Sequence, residues 1–168
     1  MPKPTISDDI CIQRLMVNEG CKLKSYRDTV GKLTIGIGRN LDDNPLTIEE
    51  QCHIGHNCRT LFISNDQAAY LCRNDLKKVR ADLDKHLPWW CDLNPDRQYV
   101  MIDLCFNMGV KTLLTFKRTL DSIARGYYVR AAEQLLQSKY AKQVGIRARR
   151  NAYALRTGEY LINPPKEV

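Results

Sequence analysis

Apolar residues recur at helical spacing near the N-terminus. Ile12, Leu15 and Met16 form one stripe, and Glu19 closes it. Ser7 is a candidate cap for this first helix and Gly20 a natural stop. Residues 21–38 change character. Leu23, Tyr26, Leu33, Ile35 and Ile37 are interspersed with polar residues, Asp28-Thr-Val-Gly31 has turn chemistry, and Gly36 and Gly38 exclude a helix. The pattern predicts a small β-hairpin or sheet, followed by a loop over residues 39–46. Thr47-x-x-Glu50 is a capping box that starts a short helix reaching about His56, and Ser64-x-x-Gln67 is a second such box. From there Ala69, Cys72, Leu76, Val79, Leu83 and His86 fall three or four residues apart without an intervening Gly or Pro, which predicts a long helix stopped by Pro88. Asn94-Pro95 opens another helix. Its residues Val100, Met101, Ile102, Leu104, Cys105, Phe106 and Met108 are apolar nearly all round, as in a helix buried at the centre of a lobe. Shorter helices are expected at about 112–125, 127–138 and 145–155, punctuated by Gly126, Gly145 and Gly158.

The predicted fold class is α+β and mostly helical. A small β-containing N-terminal lobe spans about residues 20–63, a linking helix 64–87, and an all-helical lobe 88–168 together with 1–19. The first helix is assigned to the helical lobe because a hairpin alone offers little core. The crevice between two such lobes is the expected ligand site.

Composition narrows the partners. Lys plus Arg outnumber Asp plus Glu by 26 to 19, a net charge of +7, which draws the chain toward polyanions such as nucleic acid or a bacterial envelope, or simply keeps it in solution. The run Arg147, Arg149, Arg150 and Arg156 has only Tyr153 interleaved and no surrounding nucleic-acid motif, so no nucleic-acid partner is expected. Trp89-Trp90 reads as core or lobe-junction packing rather than a sugar platform. Seven cysteines cannot all pair within one chain and show no CxxC spacing. His53 and His56 beside Cys52 and Cys58 resemble a metal tract only by composition, and no metal site is expected. Reduced, mostly buried thiols are the expectation. No apolar run of signal-peptide or membrane-span length is seen, so no export signal and no membrane span are expected.

Three polar residues stand in positions that suit glycosidase chemistry. Glu19 ends an apolar stripe at a helix C-terminus, and burial and the helix dipole both favour the neutral acid there. A protonated carboxyl is what a general acid requires, although on pattern alone a frayed, solvated Glu is the commoner case. Asp28 lies at a polar turn that keeps it ionised. One protonated and one ionised carboxyl is the glycosidase pair, while Asp is also a common turn former. Thr34 follows on the returning strand, where its hydroxyl can orient a water or simply serve as a strand residue.

The run Glu19-Gly20, Leu23-Lys24-x-Tyr26-x-Asp28-Thr29-x-Gly31, Thr34-Ile-Gly-Ile-Gly38 strongly resembles the phage-type lysozymes, glycoside hydrolase family 24, as found in the T-even bacteriophages. The likeness continues through Gly55-x-Asn57-Cys58, Ile63-Ser64-x-Asp66, Phe106-Asn107-Met108-Gly109, Phe116, Arg147-Ala148-x-Arg150 and Arg156-Thr157-Gly158, over roughly residues 12 to 160. It implies a lysozyme-like fold and a muramidase that cuts the β-1,4 bond between N-acetylmuramic acid and N-acetylglucosamine. By resemblance Glu19 is the proton donor, Asp28 holds or activates the attacking water and offsets oxocarbenium charge, and Thr34 positions that water. Phe106, Asn107, Thr119 and Gln134 align with positions that contact sugar or peptide, Asn40 falls near another sugar contact, and Arg147 matches an arginine that pairs with the catalytic Glu.

The last three of the four aligned cleft residues differ from the family's Gln, Ser and Asn, so their reach changes. Tyr140 stands in place of a Trp. Arg39 replaces a His whose acidic partner corresponds to Asp75, so an ion pair between Arg39 and Asp75 is expected. The resemblance further implies an endolysin, a monomer that needs no cofactor, gathers in the host bacterial cytoplasm and reaches the wall through a holin-type lesion. Two other readings differ in class or product. A lytic transglycosylase needs the Glu but no ionised Asp, and a non-enzymatic cell-wall binder needs neither.

Overall fold

The computed structural model describes residues 3–55 and 62–166. The elements run α1 (Asp8–Glu19), β1 (Lys22–Arg27), β2 (Leu33–Gly36), β3 (Arg39–Asn40), α2 (Ile48–Ile54), α3 (Asn65–His86), a 3-10 turn (Pro88–Asp92), α4 (Pro95–Met108), α5 (Val110–Leu113), α6 (Lys117–Ala124), α7 (Tyr128–Leu136), α8 (Lys139–Val144) and α9 (Ile146–Thr157). The fold is α+β and mostly helical, with a three-stranded antiparallel sheet ordered β1-β2-β3. By contact the chain divides into residues 8–77 and residues 1–7 with 78–168. The boundary falls inside α3, and α1, grouped with the helical lobe from sequence, clusters with the sheet.

In residues 8–77 the core is Ile35, Leu41, Leu46, Ile54, Ile63, Ala68 and Leu71, with Leu23, Leu33 and Tyr70 packed against it. Leu33 and Ile35 alternate with Thr34, so the core takes one face of β2 and Thr34 points to the other. The loop predicted at 39–46 begins as strand, because Arg39 and Asn40 pair with Ile35 and Thr34. On α1 the buried residues are Cys11, Ile12 and Leu15, whereas Met16 is exposed. Both capping boxes form. Glu50 N donates to Thr47 Oγ1 at 3.1 Å and Thr47 N to Glu50 Oε2 at 3.0 Å; Gln67 N and Ser64 N make the same exchange at 3.1 and 2.8 Å. Gly55 ends α2 in the left-handed region. His56 and Cys58, the rest of the candidate metal tract, lie outside the described residues, as does Asn57.

Arg39 is only 2% exposed, and its guanidinium is the hub of this half. It donates to Asp75 Oδ1 at 2.9 Å, to Glu50 Oε2 at 2.8 Å and to the Asn44 carbonyl at 2.8 Å. The expected Arg39–Asp75 pair is therefore present, and Glu50 joins it. Burial pushes the Glu50 carboxyl up. Hydrogen bonds from Arg39, the Thr47 N–H and Asn74 outweigh that and hold it below the ordinary glutamate range.

Residues 78–168 are held by α4, α6, α7 and α9. Tyr99, Val100, Met101, Ile102 and Leu104 of α4 are buried, as the all-round apolar pattern predicts. Ala148, Ala152 and Ala154 of α9 and Ala131 and Ala132 of α7 are fully covered, and small side chains let these helices approach closely. The predicted helix over 112–125 is two helices, α5 and α6, broken at residues 114–116 without a Gly or Pro to mark the break. The predicted 127–138 helix ends at Leu136, and Ser138 caps a separate α8 by accepting from Ala141 N. Trp90 is buried with Nε1 on Asp84 at 2.8 Å, as a core tryptophan should be.

The basic run of α9 is not one solvated face. Arg147 and Arg150 are buried, Arg150 with Nε on the Ile162 carbonyl. The described cysteines are free thiols, and burial pushes those of Cys72 and Cys105 up to about 12, well away from a reactive thiolate.

Candidate active site

Glu19 is the last residue of α1 and is half-buried. The positive φ of Gly38, +66°, brings the backbone after β2 against this side chain. A Cβ on Gly38 would lie 2.9 Å from Glu19 Oε2 and 3.0 Å from its Cδ and Cγ. Only a glycine leaves that space, so Gly38 sets where the carboxyl lies.

Asp28 sits in the β1–β2 turn. Its Oδ1 accepts from Val30 N at 3.0 Å and Lys32 N at 2.8 Å, while its backbone N donates to the Lys32 carbonyl at 2.9 Å. The turn-forming role anticipated for Asp is thus real, but it occupies one carboxylate oxygen. Oδ2 takes no hydrogen bond among the described residues. Thr34 is 4% exposed and its hydroxyl donates to the Lys32 carbonyl at 3.1 Å, leaving the oxygen's lone pairs as acceptors.

The register Tyr26↔Thr34↔Asn40 places these three side chains in one row on one face of the sheet. Tyr26 links the row to the carboxylates. Burial raises its phenol, and the charges of Glu19 and Asp28 raise it further, so both acids act on one side chain. In the sequence Tyr26 and Gly38 stand only as parts of the motif, without a signal that marks either as a site residue. Asn40 is committed to its loop. Its Oδ1 accepts from Asp42 N and Asp43 N, each at 3.0 Å, and its Nδ2 donates to Asp43 at 2.8 Å.

The remaining candidates lie in residues 78–168. Phe106 and Asn107 occupy the last turn of α4, half-buried and exposed respectively. Thr119 and Gln134 line one cavity with Phe116, which meets Tyr140 edge-on at 6.5 Å. Arg147 lies flat on Asp103, with Nε 3.0 Å from Oδ2 and Nη2 2.8 Å from Oδ1. Asn151 also donates to Asp103 Oδ2 at 2.7 Å. Asp103 has no exposed surface; in the sequence it interrupts the apolar run of α4 by a single residue, and a lone acid within such a run is the signal that marks it.

A family model described as "Phage lysozyme" matches residues 17–153. The chain belongs to the phage lysozyme family. Over 156 residues it is 28% identical to Probable T4-type lysozyme 1 of Dictyostelium discoideum, covering 86% of this chain and 92% of that protein. It is 27% identical, over the same shares, to Probable T4-type lysozyme 2 of that organism. It also matches the Pre-baseplate central spike protein Gp5 of Enterobacteria phage T4 at 28% identity, covering 87% of this chain and 27% of that longer protein. This phage lysozyme is a glycoside hydrolase, a muramidase whose substrate is the peptidoglycan of the cell wall. Among its described residues no helix is long and apolar enough to cross a membrane.

The contact between Gly38 and Glu19 can be tested in this phage lysozyme directly. Gly38→Ala must hold an alanine at positive φ, which costs about 1–2 kcal/mol, and must displace the Glu19 carboxyl. Wall-lytic kcat is expected to fall at least about tenfold at a temperature where the variant is still folded by circular dichroism. A fall in melting temperature with unchanged kcat would separate Gly38 from the acid.

Proposed function

We propose that this phage lysozyme hydrolyses the β-1,4 bond between N-acetylmuramic acid and N-acetylglucosamine by direct attack of water, with Glu19, Asp28 and Thr34 as the reacting groups. Glu19 protonates the glycosidic oxygen as the leaving sugar departs. Asp28, steadied through Oδ1 by two backbone N–H groups, accepts a proton of the attacking water on Oδ2 and offsets the oxocarbenium charge. Thr34, its own proton already committed to the Lys32 carbonyl, accepts the water's other hydrogen. A water donating to both oxygens keeps a lone pair for the anomeric carbon.

The observation that carries this reading is Tyr26, whose phenol feels both carboxylates and whose strand partner is Thr34. Phe106, Asn107, Thr119 and Gln134 contact the substrate, Asn40 holds the loop beside Thr34 that the sugar meets, and Asp103 fixes the guanidinium of Arg147. In its biological setting the enzyme is a monomeric endolysin that gathers in the host bacterial cytoplasm, passes a holin-type lesion and lyses the wall.

Attack by water from the face opposite the leaving group inverts the anomeric centre. Proton NMR of a fresh digest of a peptidoglycan fragment is expected to show the α anomer first. A first-formed β anomer would replace water attack with a covalent glycosyl-enzyme route.

A further inference from the structure

Two adjacent tyrosines, Tyr127 and Tyr128, stand where α6 turns into α7. Gly126, at φ +78°, makes that turn, and Tyr127 N closes it on the Ser122 carbonyl at 2.8 Å. Tyr127 is 56% exposed and the neighbouring Val129 53%. Tyr128 is half-buried, with the Arg97 guanidinium carbon 3.5 Å from the centre of its ring. Arg97 is itself tied to α9, its Nε donating to the Leu155 carbonyl at 2.9 Å. The ring of Tyr128 is thus held in place before any ligand arrives. With Val129, Arg130 and Glu133 of α7, the two tyrosines line an open groove of about 430 Å³. That lies within the roughly 300–1,000 Å³ of small-molecule sites. The groove shares no lining residue with the cavity of Thr119 and Gln134.

Its surface is apolar over the tyrosine rings and Val129 and balanced in charge, since Arg130 and Glu133 stand one helical turn apart. Neither makes an ion pair with another described residue. On a chain of net charge +7, a groove with balanced charge is not what an anionic partner selects. An alkyl chain or a purely apolar helix would cover both charged groups without answering them. A neutral N-acetylated sugar meets both demands. Its C–H face packs on a tyrosine ring, while its hydroxyl and acetamido groups donate to Glu133 and accept from Arg130. We propose that this groove is a second glycan-binding site, which holds N-acetylated sugars of a peptidoglycan strand while the catalytic groups act on the same polymer. The proposal rests on peptidoglycan being the substrate, and not on which residues cleave it. Two contacts on one polymer raise the effective concentration of each, so the groove serves long, insoluble glycan and gives little to short fragments.

The test is a chemical-shift titration of the isotopically labelled full chain with chitotetraose, a neutral N-acetylglucosamine oligomer that carries no peptide stem. The amides of Tyr127, Tyr128 and Arg130 are expected to move, with the same affinity at low and high salt because the ligand is uncharged. Tyr127→Ala, at an exposed position, is expected to weaken that response about five- to tenfold. Tyr127→Trp, which keeps an aromatic face, is expected to retain it. On insoluble sacculi Tyr127→Ala is expected to raise KM by a similar factor, with kcat on a short soluble peptidoglycan fragment unchanged. Amides that stay still, or that move equally in Tyr127→Ala, overturn the proposal. A response to dodecylphosphocholine micelles with none to chitotetraose overturns it in favour of a lipid surface. Glu19→Gln keeps this site and the catalytic assignment apart, being expected to lose hydrolysis and to retain the Tyr127 response. Hydrolysis that survives in Glu19→Gln removes the catalytic assignment alone, and a Tyr127 response missing from parent and variant alike removes the groove alone.

Discussion

Replacing Glu19 with Gln is expected to slow peptidoglycan hydrolysis by roughly 10²–10⁴-fold. The substitution keeps the volume of the side chain and its place beside Gly38. What it removes is the proton that must reach the glycosidic oxygen before the leaving sugar can depart. A thousandfold loss corresponds to about 4 kcal/mol of transition-state stabilisation. That is the scale expected of a proton donor and much larger than the loss of one contact on a half-buried residue. The measurement is release of reducing ends from purified sacculi, with KM followed alongside kcat. The loss should fall on kcat, because a proton transfer made only in the transition state does not hold the ground state. Wild-type rates in Glu19→Gln would end the assignment.

The second large effect is structural. Arg39→Met is expected to cost about 3–5 kcal/mol, a fall in melting temperature of roughly 10 °C or more. The guanidinium is bracketed by Glu50 and Asp75, and its removal leaves two buried carboxylates with no cation between them. The pH dependence follows from Glu50, whose carboxyl is held below its ordinary range when folded. A depressed pKa stabilises the fold at every pH above the unfolded glutamate value and loses that contribution as pH falls through the folded one. Between pH 5 and 8 the contribution is therefore constant in the parent, since the held carboxylate stays ionised there. Below about pH 4 the parent loses the Arg39 part of that contribution, which the variant lacks at every pH, so the gap between their melting temperatures narrows. A gap that is small throughout, or that widens on acidification, would mean that the cluster is not held by Arg39.

This cluster also shows where sequence reading reached and where it stopped. The Arg39–Asp75 pair was legible because a family position changed from one cation to another. Glu50 was legible only as a helix cap, a local hydrogen bond readable at a spacing of three. Its second partner lies eleven residues away and depends on how β3 meets α2. The long helix, both capping boxes and the sheet followed from periodicity and turn chemistry. The break between α5 and α6 did not, since no Gly or Pro stands there and tertiary packing decides it.

The candidate site divides in the same way. Glu19, Asp28 and Thr34 were legible through the family resemblance that their spacing carries, whereas Gly38 and Tyr26 became relevant only through contacts across the chain. Arg147 was anticipated as a partner of the catalytic acid. Its bidentate bond to Asp103 spans forty-four residues and joins two helices, which no local pattern encodes.

Mass spectrometry of the sugar ends released from purified peptidoglycan, after borohydride reduction, tests the proposed chemistry most directly. Attack of water on the muramic acid carbon predicts reduced N-acetylmuramic acid ends, lost together in Glu19→Gln and Asp28→Asn. Anhydro-muramic ends would contradict it, because they form when the sugar's own hydroxyl, and not water, closes the ring.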